Sequence, residues 1–276
     1  MEIRFQNSPK EVKGMSTDEL RSNFLIQQLM KEDALSLVYS HYDRVIIGGV
    51  RPVQQKIALH NEAELRADYF LQRRELGIIN VGGAGEVEAD GVFYELNKLD
   101  ALYLGKGTQA VVFSSKSKDD PASFFLMSAT AHHTYPNTKM TKEEASPVNL
   151  GETATANKRT IYKYIHLDGI QSCQLVMGLT VLNEGSVWNS VPPHTHTRRT
   201  EVYFYFDVPE QHRIFHLMGE PTETRHLVMA NHDAVISPPW SVHCGPGSTN
   251  YGFIWAMAGE NLTFTDMDPV AIANMR

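Results

Sequence analysis

The chain has 276 residues, 42% of them hydrophobic and 21% charged, a composition that supplies a packed core and sets it apart from disordered polymers. Its net charge of −7 and pI near 5.9 argue against a nucleic-acid binder, which would carry a basic face. Two cysteines, Cys173 and Cys244, are too few for a disulfide framework, no apolar run is long enough to cross a bilayer, and the opening MEIRFQNSPKEVKGM lacks the apolar core of a secretory signal, so we expect a cytoplasmic protein with reduced thiols and no membrane partner.

Ser16 to Glu19 has the Ser-x-x-Glu form of a capping box. Leu20, Phe24, Leu25, Leu29 and Met30 then recur at helical spacing, which predicts a helix to about residue 32. Short β-rich segments follow, punctuated by Gly, Asn, Asp and Pro. They are 37–42, 44–47, 77–81, 91–96, 101–104, 110–114 and 123–128. Residues 129 to 160 are polar and read as a strand-poor connector. Strand texture resumes at 161–166, 174–182, 202–206, 214–218, 225–229, 234–237 and 252–258. Many short strands separated by turns predict a sandwich or barrel.

The two strand-rich halves echo one another. Asp100-Ala-Leu-Tyr-Leu-Gly-Lys-Gly107 resembles Asp233-Ala-Val-Ile-Ser-Pro-Pro-Trp240, 133 positions later. Arg73-Arg-Glu75 echoes Arg198-Arg-Thr-Glu201. Repetition at half-chain length is the mark of a duplicated module, with boundaries expected at 1–155 and 156–276.

The chemistry concentrates in Pro192-Pro-His-Thr-His-Thr-Arg-Arg-Thr-Glu201. In an extended segment His194 and His196, two apart, project to one face and can grip one ion. If Glu201 faces the same interior, so do Tyr203 and Tyr205, while Val202, Phe204 and Phe206 pack on the other side. His243 arrives later from a Pro-rich turn, Ser237-Pro-Pro-Trp-Ser-Val-His243. His194, His196, Glu201 and His243 are the expected metal ligands. Three imidazoles and a carboxylate suit zinc, with Fe2+ or Mn2+ as alternatives, over calcium or magnesium. The first half lacks such a set: Ala110 stands where the 133-residue offset places His243, and no His-x-His precedes Glu75. Its module is expected to carry no metal.

His-x-His, four residues, Glu and a later Pro-x-x-x-x-His resemble the two cupin motifs, although Trp240 stands where cupins carry Gly. This resemblance implies a mainly β fold of duplicated cupin (double-stranded β-helix, jelly-roll) barrels behind a short N-terminal helix. A longer, collinear resemblance covers nearly the whole chain. Tyr39-Ser-His-Tyr-Asp-Arg44, Asn80-Val-Gly-Gly-Ala-Gly85, Thr134-Tyr-Pro136, Glu201-Val-Tyr-Phe-Tyr-Phe206, Glu223-Thr-Arg-His226 and Gly259-Glu-Asn261 are similar to the 5-keto-4-deoxyuronate isomerases of pectin breakdown. It implies one zinc per chain on the four cupin ligands, a keto-uronate substrate and a homo-hexamer. The implied reaction is ketol isomerisation of 5-dehydro-4-deoxy-D-glucuronate to 3-deoxy-D-glycero-2,5-hexodiulosonate.

Such an isomerisation needs a group to move a proton, and Glu201, Tyr203 and Tyr205 are the candidates, with the base left open. A substrate carboxylate wants a guanidinium, for which Arg198, Arg199 and Arg225 are nearest in sequence. The motifs alone would also serve a ferrous cupin dioxygenase or a non-catalytic sugar-binding bicupin.

Overall fold

Two serine-capped helices open the fold in a computed structural model that describes residues 1–276. Ser8 precedes α1 (Pro9–Gly14) and Ser16 precedes α2 (Thr17–Phe24). In each, the serine hydroxyl accepts the N3 amide while the N3 glutamate, Glu11 or Glu19, accepts the serine amide. The expected helix to residue 32 is corrected. α2 stops at Phe24, and buried Leu25–Ile26 become a strand pairing with Val235 and Ala234. Pairing to a sheet edge there outweighs a helical periodicity that local propensity favours only weakly.

The first seven-stranded sheet runs in the spatial order Glu2–Arg4, Leu35–Ser40, Ile46–Val50, Phe124–Thr130, Arg74–Asn80, Ala101–Leu104 and Thr138–Met140. A four-stranded sheet of Ile57–Ala58, Val111–Ser115, Gly85–Ala89 and Val92–Leu96 accompanies it. Leu76, Ile78, Val87, Phe113 and Phe124 belong to a core cluster shared by these two sheets. The second seven-stranded sheet has the order Val148–Leu150, Arg159–Ile165, Val176–Leu182, Gly252–Gly259, Arg199–Phe206, Ala234–Ser237 and Leu25–Ile26. Its last edge therefore comes from the opposite end of the chain.

The supposed connector is not strand-poor throughout. Thr138–Met140 extends the first sheet and Val148–Leu150 the second. Both are half-exposed or exposed edge strands, which is why their polar composition disguised them.

The two large sheets meet face to face. Phe125 of the first stacks on Phe204 of the second at 4.9 Å, a contact contributing about 1 kcal/mol beyond its buried area. Glu75 lies on this face, fully buried. Its carboxylate accepts hydrogen bonds from Tyr103 Oη at 2.8 Å and from the amides of Cys173, Gln174 and Leu175 at 2.7, 2.8 and 3.0 Å. Four donors from both halves thus saturate one carboxylate.

The turns before Ala101–Leu104 and Ala234–Ser237 carry the same hydrogen bonds. Asp100 accepts the Asn97 amide at 2.9 Å, and Asp233 accepts the Ala230 amide at 2.8 Å. The Asp100 carbonyl accepts the Asn80 amide as the Asp233 carbonyl accepts that of Tyr205. Leu99 and His232, the residues before, share a positive φ of 73° and 64°. Matching Asn80 to Tyr205 makes Leu76, not Glu75, the counterpart of Glu201. The pairings agree, since Leu76 sits opposite Leu104 as Glu201 sits opposite Ser237. The echo of Arg73-Arg-Glu75 is therefore out of step by one residue, which in a strand turns a side chain to the opposite face.

Candidate metal centre and its cavity

Three elements deliver the four candidate ligands. Arg199–Phe206 is paired on both sides, with Gly252–Gly259 and with Ala234–Ser237, which fixes Glu201 rigidly. Alternation along it sends Tyr203 toward His243, ring centroids 5.3 Å apart, and Phe204 toward Phe125. His194–Thr195 forms a two-residue strand held by Asp268–Pro269 near the C-terminus. His243 follows a turn closed by the Ser241 amide on the Pro238 carbonyl at 2.9 Å.

The donor atoms of His194, His196, Glu201 and His243 all lie within 4.8 Å of one another, and all four residues are buried. His194 Nδ1 lies 3.0 Å from the Pro192 carbonyl and His243 Nδ1 3.2 Å from that of Ser241. With each ring donating its Nδ1–H to that carbonyl, the two Nε2 lone pairs face each other across 3.0 Å. Such an arrangement is repulsive until a cation stands between the rings. Glu201 Oε2 lies 3.1 Å from His196 Nε2 and 2.9 Å from His243 Nε2. Despite this proximity it is buried with no aligned hydrogen-bond partner. An orphaned carboxylate oxygen and convergent imidazole lone pairs fit a divalent transition metal.

Electrostatics favour the ligand forms. Burial and then His243 push His194 down to about 3, and burial likewise lowers His196, so both imidazoles stay neutral. Burial alone would raise Glu201, which keeps its carboxylate form only with positive charge among the surrounding imidazoles.

The ligands open onto a cavity of about 240 Å3. Tyr203, Trp255, Met257 and Phe264 line it. Trp255 Nε1 donates to Thr180 Oγ1 at 3.2 Å, and its ring packs on Phe264 at 4.9 Å. Gly178 makes room for that indole, since a Cβ there would stand 2.2 Å from its ring.

The expected proton-transfer groups separate here. Glu201 and Tyr203 line the cavity and Tyr205 does not. Tyr205 Oη is bonded at 2.8 Å to Nδ1 of buried His216. Tyr203 Oη is bonded at 2.7 Å to Ser190 Oγ, and burial followed by the Glu201 charge holds its hydroxyl well above the usual phenol range.

The three expected arginines are not brought together. Arg225 does not line this cavity, and its guanidinium donates to the carbonyls of Val12, Lys13 and Met15, closing the end of α1. Arg198 pairs with Asp266 and Asp268 at 2.6 and 3.0 Å. Arg199 reaches the cavity wall, but its amino groups donate to the carbonyls of Thr263, Phe264 and Asp266. These two arginines tie down the C-terminal segment that carries Phe264 and braces His194. The cation that sequence reasoning missed is Arg159. It lines the cavity half-buried, with its Nη1 on the Asn157 carbonyl at 3.1 Å. No local pattern marks it: a lone arginine at a strand start becomes visible once the sheet folds over the cavity.

Facing β-sheets with a buried His3Glu cluster inside the second define a mainly β, cupin-like protein. Solved structures share this fold. An IolB-like protein from Salmonella typhimurium LT2 matches with a TM-score of 0.68 at 16% identity, over 90% of this chain and 97% of its own. Bacillus subtilis oxalate decarboxylase, whose structure concerns Mn(II) centres, matches with a TM-score of 0.56 at 10% identity, over 81% of this chain and 71% of its own. The chain belongs to the KduI/IolB family, whose family model matches residues 24–272. A relative from Shouchella clausii named 4-deoxy-L-threo-5-hexosulose-uronate ketol-isomerase is 54% identical over 276 residues, 100% of both chains. Relatives of the same name from Formosa agariphila and Yersinia pseudotuberculosis are 51% and 50% identical, covering 100% of this chain and 98% and 100% of theirs.

Proposed function

We propose that this enzyme is a metal-dependent ketol-isomerase interconverting 5-dehydro-4-deoxy-D-glucuronate and 3-deoxy-D-glycero-2,5-hexodiulosonate in pectin and uronate breakdown. The observation that carries this reading is full-length identity of 54% to a relative bearing that activity's name. We read the fold as two cupin barrels, 1–155 without metal and 156–276 with one zinc on His194, His196, Glu201 and His243, in a cytoplasmic homo-hexamer. The matching turns at Asp100 and Asp233 support the duplication, and the convergent lone pairs support the metal.

A zinc ion bound there supplies a Lewis acid for negative charge developing on a substrate oxygen. The protein does the rest. Arg159 pairs with the substrate carboxylate, and its bond to Asn157 fixes its reach. Trp255 and Phe264 wall the sugar and exclude water. Isomerisation removes the C2 proton and returns a proton to C1, while the O2 hydroxyl proton ends on O1. Tyr203, protonated and linked to Ser190, is placed to carry a proton between those oxygens. Glu201 is held among the imidazoles, and Tyr205, engaged with His216, acts as a positioning residue.

The test combines metal analysis with an anaerobic isomerase assay. About one zinc per chain with oxygen-independent turnover supports the reading. Iron with turnover only in oxygen would replace it with a dioxygenase.

A further inference from the structure

A second cavity, of about 680 Å3, lies against the first sheet, and none of its lining residues belongs to the metal cavity. Arg73, Arg74 and Lys106 line it beside His41, with Glu64 its one carboxylate. Three permanent cations gather here in a chain of net charge −7.

Arg74 is the informative member, 5% exposed. Its Nε donates to Ser128 Oγ at 3.0 Å and its Nη2 to the carbonyls of Arg44 and Ser128 at 2.6 and 3.0 Å. Its Nη1 finds no acceptor in the protein, yet it is not among the atoms sealed from solvent, so it is open to the cavity that Arg74 lines. None of the protein's ion pairs includes Arg73, Arg74 or Lys106. Glu75, next along the strand, faces away and is saturated by its four donors. Burial lowers Arg74 to about 10, with Tyr39 and Glu75 opposing, so it stays charged at neutral pH. A buried charge without a counter-ion is costly, and an anion in the cavity removes that cost.

The remaining wall suits a small organic body. Phe70 is buried there, and the Tyr39 ring stands 6.0 Å from the Arg74 guanidinium. We propose that this cavity binds a small organic anion, its carboxylate or phosphoryl oxygens on Arg74 Nη1, with Arg73 and Lys106 supplying the remaining charge. The inference stands independently of the isomerase assignment.

The test is calorimetric titration of the full-length, metal-loaded protein with D-glucuronate, D-glucose 6-phosphate and uncharged D-glucose. One of the two anions is expected to bind and glucose is not; the tighter anion identifies carboxylate or phosphoryl as the recognised group. The double variant Arg73→Ala, Lys106→Ala, which touches an exposed and a half-buried side chain, is expected to weaken binding at least tenfold, as is Arg74→Gln. Arg159→Ala is the control for the metal cavity and is expected to leave this binding unchanged. Absence of binding by both anions, indifference to the double variant, or loss of binding in Arg159→Ala would each overturn the proposal.

Discussion

Arginine identity on its own says little about role; what matters is which acceptors each fork already holds. Arg225 has three backbone carbonyls, so Arg225→Ala is expected to lower stability by about 1–2 kcal/mol in urea unfolding while leaving KM within about twofold. Arg159→Ala is expected to raise KM for the keto-uronate at least tenfold with a smaller change in kcat; an unchanged KM would remove it from the substrate's reach. His243→Ala is expected to drop metal below one per chain and abolish turnover, and full activity without metal would refute the metal centre. At this level the clustering of His194, His196, Glu201 and His243 was legible because period-two spacing and a Pro-rich turn are local signals. Arg159 and the diversion of Arg225 were not, because both depend on contacts between distant segments.

Strands report their faces more faithfully than their ends. Ala101–Leu104 and Ala234–Ser237 match their sequence-derived bounds, and the inward set Glu201, Tyr203, Tyr205 follows from alternation alone. The slip between Glu75 and Leu76 shows where that logic fails: a similar string of residues does not fix register, whereas the turn hydrogen bonds at Asp100 and Asp233 do. Glu75→Gln is accordingly expected to weaken packing between the sheets, lowering stability by about 1–3 kcal/mol, with metal still at one per chain. A fall in metal content would instead make Glu75 part of the centre. Gly178→Ala drives a methyl toward the Trp255 indole and is expected to shift tryptophan fluorescence and reduce kcat/KM; unchanged values would mean that the ring moves freely aside.

Stability of the whole molecule carries an acid signature. Burial raises Asp233 from 3.8 to about 6, so the fold favours its protonated form. Its contribution is fully present below about pH 4 and is lost as pH rises through about 6, a loss of up to about 3 kcal/mol. Urea unfolding of wild type and Asp233→Asn across that window is expected to show wild type losing stability relative to the variant, then running parallel to it. Parallel curves throughout would mean that the carboxyl is ionised in the fold at all these values.

The edge formed by Leu25–Ile26 has a consequence for biosynthesis. These residues leave the ribosome long before Ala234 and Val235, the strand they join, have been made. During that interval a buried apolar pair has no site to occupy, and the later half cannot close its own sheet from what it encodes. The later half therefore completes this border only when Leu25–Ile26 is recruited to Ala234–Val235, and severing the chain between the halves would leave the second sheet with an unpaired strand edge there.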